Sequence, residues 1–346
     1  MRIANFLQYA GDPRAAADQV AEQEKAGLDI VWVAEAYGFD SPTLMGYLAA
    51  KTEAVQIGSA ILNVFSRTPG ALAQTVAGLD NVSQGRAILG LGASGPQVIE
   101  GFHGVPYSRP LTRTRETIDV VRAFLRREEP VTYDGRTVQL PLPEGEGTGL
   151  GKPLKMLTHP ERNEVPIHVA ALGPKNVAMT AEVADGWIPH LYVPEHAKAV
   201  WGDDLAAGRE HRDPSLGDLE VVAGGMLAIA EGEHRGNLLD LGRSMVALYV
   251  GGMGSREKNF YNDLFRRYGW EQEAQEIQDL YLSGKKREAE AKVPREALEQ
   301  MNLVGSPGFI QERIAAFRES GVTVLNIFPV TEDAPGTIAK VKEWIQ

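Results

Sequence analysis

Eight apolar, β-rich runs recur along the chain, and nothing else in the sequence narrows the possible folds as far. They are Ile3 to Gln8, Asp29 to Ala34, Val55 to Leu62, Arg86 to Leu91, Val165 to Ala171, Gly186 to Leu191, Leu219 to Ala230 and Val322 to Val330. Most are continuous rather than alternating in polarity, which suits strands buried on both faces of a parallel sheet. Helical patterns lie between them. Pro13 to Lys25 has Gly27 at the C′ position, and Ser41-Pro42 offers an N-cap followed by proline at N1. Pro69 to Val82, Leu111 to Arg127 and Pro174 to Val183 follow the same rhythm, and a final helix closes the chain. Eight β/α units without a composition break describe an α/β protein, a (β/α)8 TIM barrel formed as a single domain over residues 1–346. Two stretches interrupt the rhythm and read as insertions. Residues 130–164 hold a hairpin turn at Tyr133-Asp134-Gly135-Arg136 and the loop-like PLPEGEGTGLGKP, while residues 236–301 are helical and charged.

Composition removes several classes of function. The net charge of −11 lacks the basic character of a nucleic-acid binder, and no apolar run is long enough to span a membrane. Cysteine is absent, which excludes disulfides and thiolate chemistry. The seven histidines form no metal-ligand spacing, so no metal site is expected. Met1-Arg2-Ile3 leads directly into strand-like sequence without signal-peptide anatomy, which points to the cytoplasm.

The fourth run ends in Gly90-Leu91-Gly92-Ala93-Ser94-Gly95, which matches G-x-G-x-x-G letter for letter. A dinucleotide fingerprint also needs a helix opening at the last glycine and an acidic residue ending the next strand. Here Pro96 follows at once, Glu116 falls within a helical pattern, and the strand is the fourth of the chain. Two readings remain. The glycines relieve crowding at a strand end, or the amides from Ser94 to Val98 form an anion-binding concavity. Strand-end loops form the active face of such barrels. By that rule Glu35 with Tyr37, Asn63 with Arg67, Gly173-Pro174 and His190 are further candidates, whereas His168 reads as structural. Gly252-Met253, within YVGGMGSREKNF, is expected to shape an apolar wall near the mouth.

In their joint order, AEAYGFDSP, IGSAIL, LGLGASGPQVIEGFHG, LTRTRETIDVV, EGTGLGKPLK, GPKNVAMTAEVADGWIP and LYVGGMGSREKNF resemble the luciferase-like superfamily. More narrowly they resemble its actinobacterial coenzyme F420-dependent oxidoreductases, from Arg2 to about Val330. The resemblance implies a (β/α)8 barrel, a homodimer, and a deazaflavin at the C-terminal ends of the strands. It implies a non-proline cis peptide at Ala60–Ile61 behind the deazaflavin ring. Phosphate contacts would fall on Ala93, Ser94, Gly95 and Val98, and ring contacts on Glu35, Asn63, Ala170, Ala171, Gly173 and Pro174. The sugar-phosphate dehydrogenase branch has a histidine where this chain has Ala36 and a catalytic glutamate where it has Gly95, which argues against glucose 6-phosphate.

The implied reaction is hydride transfer between the deazaflavin and a moderately apolar carbonyl compound, activated alkene or secondary alcohol. The protein would supply orientation and a dry pocket. Glu35 or His190 would handle the proton, and Trp187, Tyr37, Phe65, Met226 and Met253 would line the pocket. FMN-dependent monooxygenation and non-catalytic cofactor binding are the rival readings.

Overall fold

A computed structural model of the protein describes residues 1–7 and 11–346, so Gln8, the expected end of the first strand, lies outside the described residues. Eight parallel strands close into a barrel: β1 (Arg2–Leu7), β2 (Ile30–Val33), β3 (Gln56–Ser59), β4 (Ala87–Gly92), β5 (Ile167–Ala170), β6 (Gly186–Ile188), β7 (Glu220–Ala223) and β8 (Val324–Pro329). Closure is direct, with Arg2 to Asn5 of β1 in register with Val324 to Ile327 of β8. The fold is therefore the (β/α)8 TIM barrel that the run pattern predicts. Among the described residues no helix is long and apolar enough to cross a membrane.

The barrel interior is filled by alternate residues of successive strands. Ala4, Ile30, Trp32, Ile88, Val222 and Val324 form a cluster of their own, with Phe6, Ala60 and Ile188 packed against it. Two large rings occupy this space because two strands give up their side chains. A Cβ on Gly58 would lie 2.2 Å from the Trp32 ring, and one on Gly186 would lie 2.5 Å from the His168 ring. Those two rings pack with centroids 5.3 Å apart, which confirms His168 as an interior residue. Below them Arg2 reaches across the N-terminal end of the barrel, donating to Gln56 at 2.6 Å and to the Glu220 carboxylate.

The structure departs from the run pattern in three places. The third run breaks at the Ala60–Ile61 peptide, which is cis, and resumes as Leu62–Asn63 against Leu91 and Gly92. The seventh run, expected as one strand over Leu219 to Ala230, is two. Gly224 and Gly225 intervene, and Cβ atoms there would lie 2.2 Å from the carbonyl oxygens of Asn326 and Met301. Its second half, Met226–Ile229, pairs with β8 and with a short strand, Leu303–Gly305, that has no counterpart among the eight runs. Helix Pro307–Glu319 is likewise absent from the sequence pattern; Ser306 caps it through the N–H of Phe309.

Residues 232–301 contain six helices, from Gly232–Asp240 to Arg295–Met301. Gly251 and Gly252 serve helix packing rather than the mouth, because Cβ atoms there would lie 2.5 and 2.4 Å from Tyr281. Between residues 130 and 164 the hairpin pairs Tyr133 with Leu140 and Asp134 with Gln139. Its turn hangs on the buried Glu116 carboxylate, which accepts the N–H groups of Arg136, Thr137 and Val138.

Candidate active site at the barrel mouth

Three non-glycine residues adopt left-handed backbone immediately beyond even-numbered strands: Ala36 (φ 45°), Ser94 (φ 55°) and Leu191 (φ 53°). Such conformations are uncommon outside glycine and concentrate at sites that the rest of the structure over-determines. All three lie at the C-terminal end of the barrel, the end that carries active sites in this architecture.

One wall of the mouth has almost no side chains. The Ser59 hydroxyl bridges the strands, accepting from Gly90 N–H at 2.9 Å and donating to Gly90 carbonyl at 2.8 Å. A Cβ on Gly90 would lie 1.8 Å from the Ser59 carbonyl oxygen, so this glycine is dictated by strand packing. Gly92 sits one step nearer the mouth. A Cβ there would approach Ile61 Cγ1 at 3.0 Å and Ala170 Cβ at 3.5 Å, so Gly92, Ile61 and Ala170 share one surface beside Ala60. Gly90 thus relieves crowding between the strands, while Gly92 places no side chain between Ile61 and Ala170.

Beyond Gly92 the chain turns through Ala93 and left-handed Ser94 into a short helix, Pro96–Gly101, whose N-cap Gly95 has no side chain to cap it. The expected unbroken row of amides from Ser94 to Val98 does not exist. Pro96 has no N–H, and Val98 N–H bonds the Gly95 carbonyl at 3.1 Å. The donors left at this turn are those of Ser94, Gly95 and Gln97, since the first helical amides have no intrahelical acceptor. Tyr107 holds the turn by donating to Ser94 carbonyl at 3.2 Å, and its ring stacks on Phe65 at 5.0 Å. The fourth loop is thereby fastened to the third.

Asn63 is buried and organises that third loop. Its Oδ1 accepts the N–H groups of Phe65 at 3.1 Å and Ser66 at 2.7 Å, and its Nδ2 lies 3.3 Å from His103 Nε2. Across the mouth, Trp187 is core rather than lining: its Nε1 donates to Ala171 carbonyl at 2.8 Å, behind the wall. Gly173 caps helix Pro174–Val183, again without a side-chain bond, and exposed Phe260 lies over it.

The two residues expected to handle a proton have opposite surroundings. Glu35 is buried, and Arg67 pairs with both its oxygens, at 2.7 and 2.8 Å; Ser41 N–H adds a third bond at 3.0 Å. Arg67 also bonds Asp40 at 2.6 Å, so the second and third loops are clamped together. Every bond to Glu35 has it as acceptor, and the Arg67 guanidinium holds the carboxylate in place at the strand end. His190 is the reverse case. Its ring packs on Tyr249 at 4.2 Å and edge-on to Tyr261 at 5.8 Å, and its Nε2 is buried without a hydrogen-bond partner among the described residues. Burial pushes its pKa down to about 4, which leaves a neutral imidazole at physiological pH.

Sequence reasoning misses two parts of this site. His103 stands in a loop of glycines and prolines, where nothing local marks it. The Glu35–Arg67 pair joins residues 32 positions apart, and only their shared place at strand ends hints at it.

A barrel closed by parallel strands, with bare backbone and left-handed turns at its mouth, defines a class, and the sequence agrees. Residues 1–324 match the family model for luciferase-like monooxygenases, and the chain belongs to that family. It is 41% identical over 330 residues, 94% of each chain, to the Mycobacterium tuberculosis protein that carries the name coenzyme F420-dependent oxidoreductase Rv3520c. Among solved structures it resembles the coenzyme F420-dependent tetrahydromethanopterin reductase of Methanopyrus kandleri, with a TM-score of 0.78, 21% identity, and 98% and 96% of the two chains covered. It also resembles an F420-dependent secondary alcohol dehydrogenase bound to an F420–acetone adduct, with a TM-score of 0.76, 20% identity, and 99% and 97% covered.

Proposed function

We propose that the protein is an F420-dependent oxidoreductase acting on a moderately apolar carbonyl compound, activated alkene or secondary alcohol. The observation that carries this reading is the side-chain-poor wall of Ala60, Ile61, Gly92 and Ala170, against which a flat tricycle can lie at van der Waals distance. Similarity to the Mycobacterium tuberculosis protein supports the choice of cofactor. When bound, a deazaflavin supplies two-electron hydride chemistry at the carbon that replaces the flavin N5.

The chain's own residues supply position and polarity. In this reading the turn of Ala93, Ser94, Gly95 and Val98 holds the phosphate end, with the N–H groups of Ser94, Gly95 and Gln97 as donors. Asn63, Ala171, Gly173 and Pro174 border the ring. Glu35 contributes through Arg67, fixing the second and third loops that flank it. His190 is the proton-handling group: neutral and unpaired at Nε2, it can hydrogen-bond a substrate oxygen without competition from another protein partner. Pairing into a cytoplasmic homodimer belongs to the same reading, and light scattering on the purified protein tests the dimer.

Titrating the purified protein separately with F420 and FMN, followed by fluorescence, tests the proposal. The expected result is F420 binding at least tenfold tighter, with slow oxygen consumption by the reduced complex. Tighter FMN binding with rapid oxygen uptake would establish the monooxygenase reading instead.

A further inference from the structure

We propose that His103 is a further ligand-binding residue of the mouth, held by Asn63 in its Nδ1–H tautomer so that it offers one fixed N–H to an oxygen acceptor on the bound ligand. The inference rests on the reading of the mouth as a cofactor and substrate site.

The argument starts from an amide whose orientation is fixed. Asn63 is 3% exposed, and one end of its side chain lies within bonding distance of two backbone donors, Phe65 N–H at 3.1 Å and Ser66 N–H at 2.7 Å. Only the oxygen can accept both, so the other end is the NH2 group. That group lies 3.3 Å from His103 Nε2 and can only donate. Nε2 must therefore present its lone pair, and in the neutral ring the proton sits on Nδ1.

The rest of the residue is equally constrained. Its backbone N–H bonds the Val98 carbonyl at 3.2 Å, which ties it to the end of the Ser94 turn. The Phe102 ring stands edge-on to the imidazole at 5.1 Å and 85°. Nδ1 has no partner among the described residues. Outside Phe102 lies Tyr37, with ring centroids 6.3 Å apart and the two residues 63% and 67% exposed. A polar N–H behind an open aromatic pair suits a ligand that joins an apolar face to an oxygen acceptor. The deazaflavin side chain and the substrate both carry such oxygens.

The test has two arms. In the cofactor-free protein with ring-labelled histidine, the His103 resonances are assigned by their loss in His103→Gln. They should report the Nδ1–H tautomer in the wild type, and Asn63→Asp should reverse it, because a carboxylate oxygen accepts where the amide donated. A wild-type Nε2–H tautomer overturns the inference. In the second arm, His103→Phe removes the donor and His103→Gln keeps an N–H. A rise of about tenfold in the F420 Kd for His103→Phe, largely restored in His103→Gln, supports the cofactor oxygen. An unchanged Kd with a similar loss in kcat/KM supports the substrate oxygen. If neither quantity moves, the inference falls. If wild-type protein binds no F420, the function proposed above falls first, and the tautomer measurement still tests the pairing of Asn63 with His103 on its own.

Discussion

The two ends of this barrel are built from the same eight strands by different chemistry. At the N-terminal end charges are paired. Arg2 bridges Gln56 and Glu220, Arg162 chelates Asp80, Arg122 meets Asp185 at 2.9 Å, and Lys342 meets Asp29 at 2.6 Å. At the mouth, left-handed residues, bare glycine backbone, exposed aromatics and the unpartnered His190 nitrogen predominate. Two imidazoles mark the contrast. His168, 3.2 Å from Glu220, faces the charged end, and His190 lies among tyrosines at the mouth. The difference teaches that the fold is fastened at one end, so that the other can leave polar groups uncommitted for a ligand.

Breaking the fastened end should give the largest effect. Asp80 is fully buried and accepts from Ala87 N–H at 3.1 Å and from the Arg162 guanidinium. Asp80→Ala strands both donors and should lower unfolding stability by about 3–5 kcal/mol, the usual result of removing one partner of a buried pair. Urea denaturation measures this, and F420 affinity of the folded fraction should stay within twofold. A binding loss as large as the stability loss would erase the division between the ends.

The complementary change at the mouth is Gly92→Val. Its side chain would project onto the surface shared by Ile61 and Ala170. F420 Kd should rise about 100-fold, roughly 2.7 kcal/mol, while the melting temperature falls by only a few degrees. Retained affinity would remove the cofactor from this wall.

The distribution of these features explains how much of the molecule is legible in its sequence. Continuous apolar runs such as DIVWVA and VPIHVAA announce barrel strands because burial on both faces leaves no polar alternation. The break at Gly224 and Gly225 is invisible there because its causes, the Asn326 and Met301 carbonyls, lie about 75 to 100 residues downstream. At the mouth, Ser94 and Gly173 stand at strand ends that sequence order locates. His103 takes its meaning from Asn63, forty positions earlier, and Glu35 from Arg67. Pairings of this kind are set by closure of the barrel, and no local pattern encodes them.

His190 makes the contrast depend on pH. Its pKa of about 4 lies below the ordinary histidine value, so between the two the unfolded chain binds a proton that the folded protein refuses. Stability then falls as pH drops through this window, by about 2 kcal/mol on reaching pH 4.5, and the term vanishes near neutrality. Replacing the residue in His190→Asn should flatten this acid slope, as read by denaturation at pH 7 and 4.5. An unchanged slope would mean that burial at the mouth does not hold this imidazole neutral.

The smallest expected effect is the sharpest test, because Glu35 is the place where the mouth borrows the chemistry of the opposite end. Glu35→Gln keeps the shape and one acceptor oxygen for Ser41 N–H or Arg67, while the bidentate ion pair is lost. Arg67 retains Asp40, so the second and third loops stay joined. Stability should fall by about 1 kcal/mol, as for a hydrogen bond weakened but not orphaned, and kcat by less than tenfold with an unaltered pH profile. A carboxylate that delivered the proton itself would show a different signature, a loss of about 10²–10⁴ in kcat and a displaced pH limb. The two outcomes are well separated, so this one amide decides whether Glu35 belongs with the fastenings or with the reacting groups.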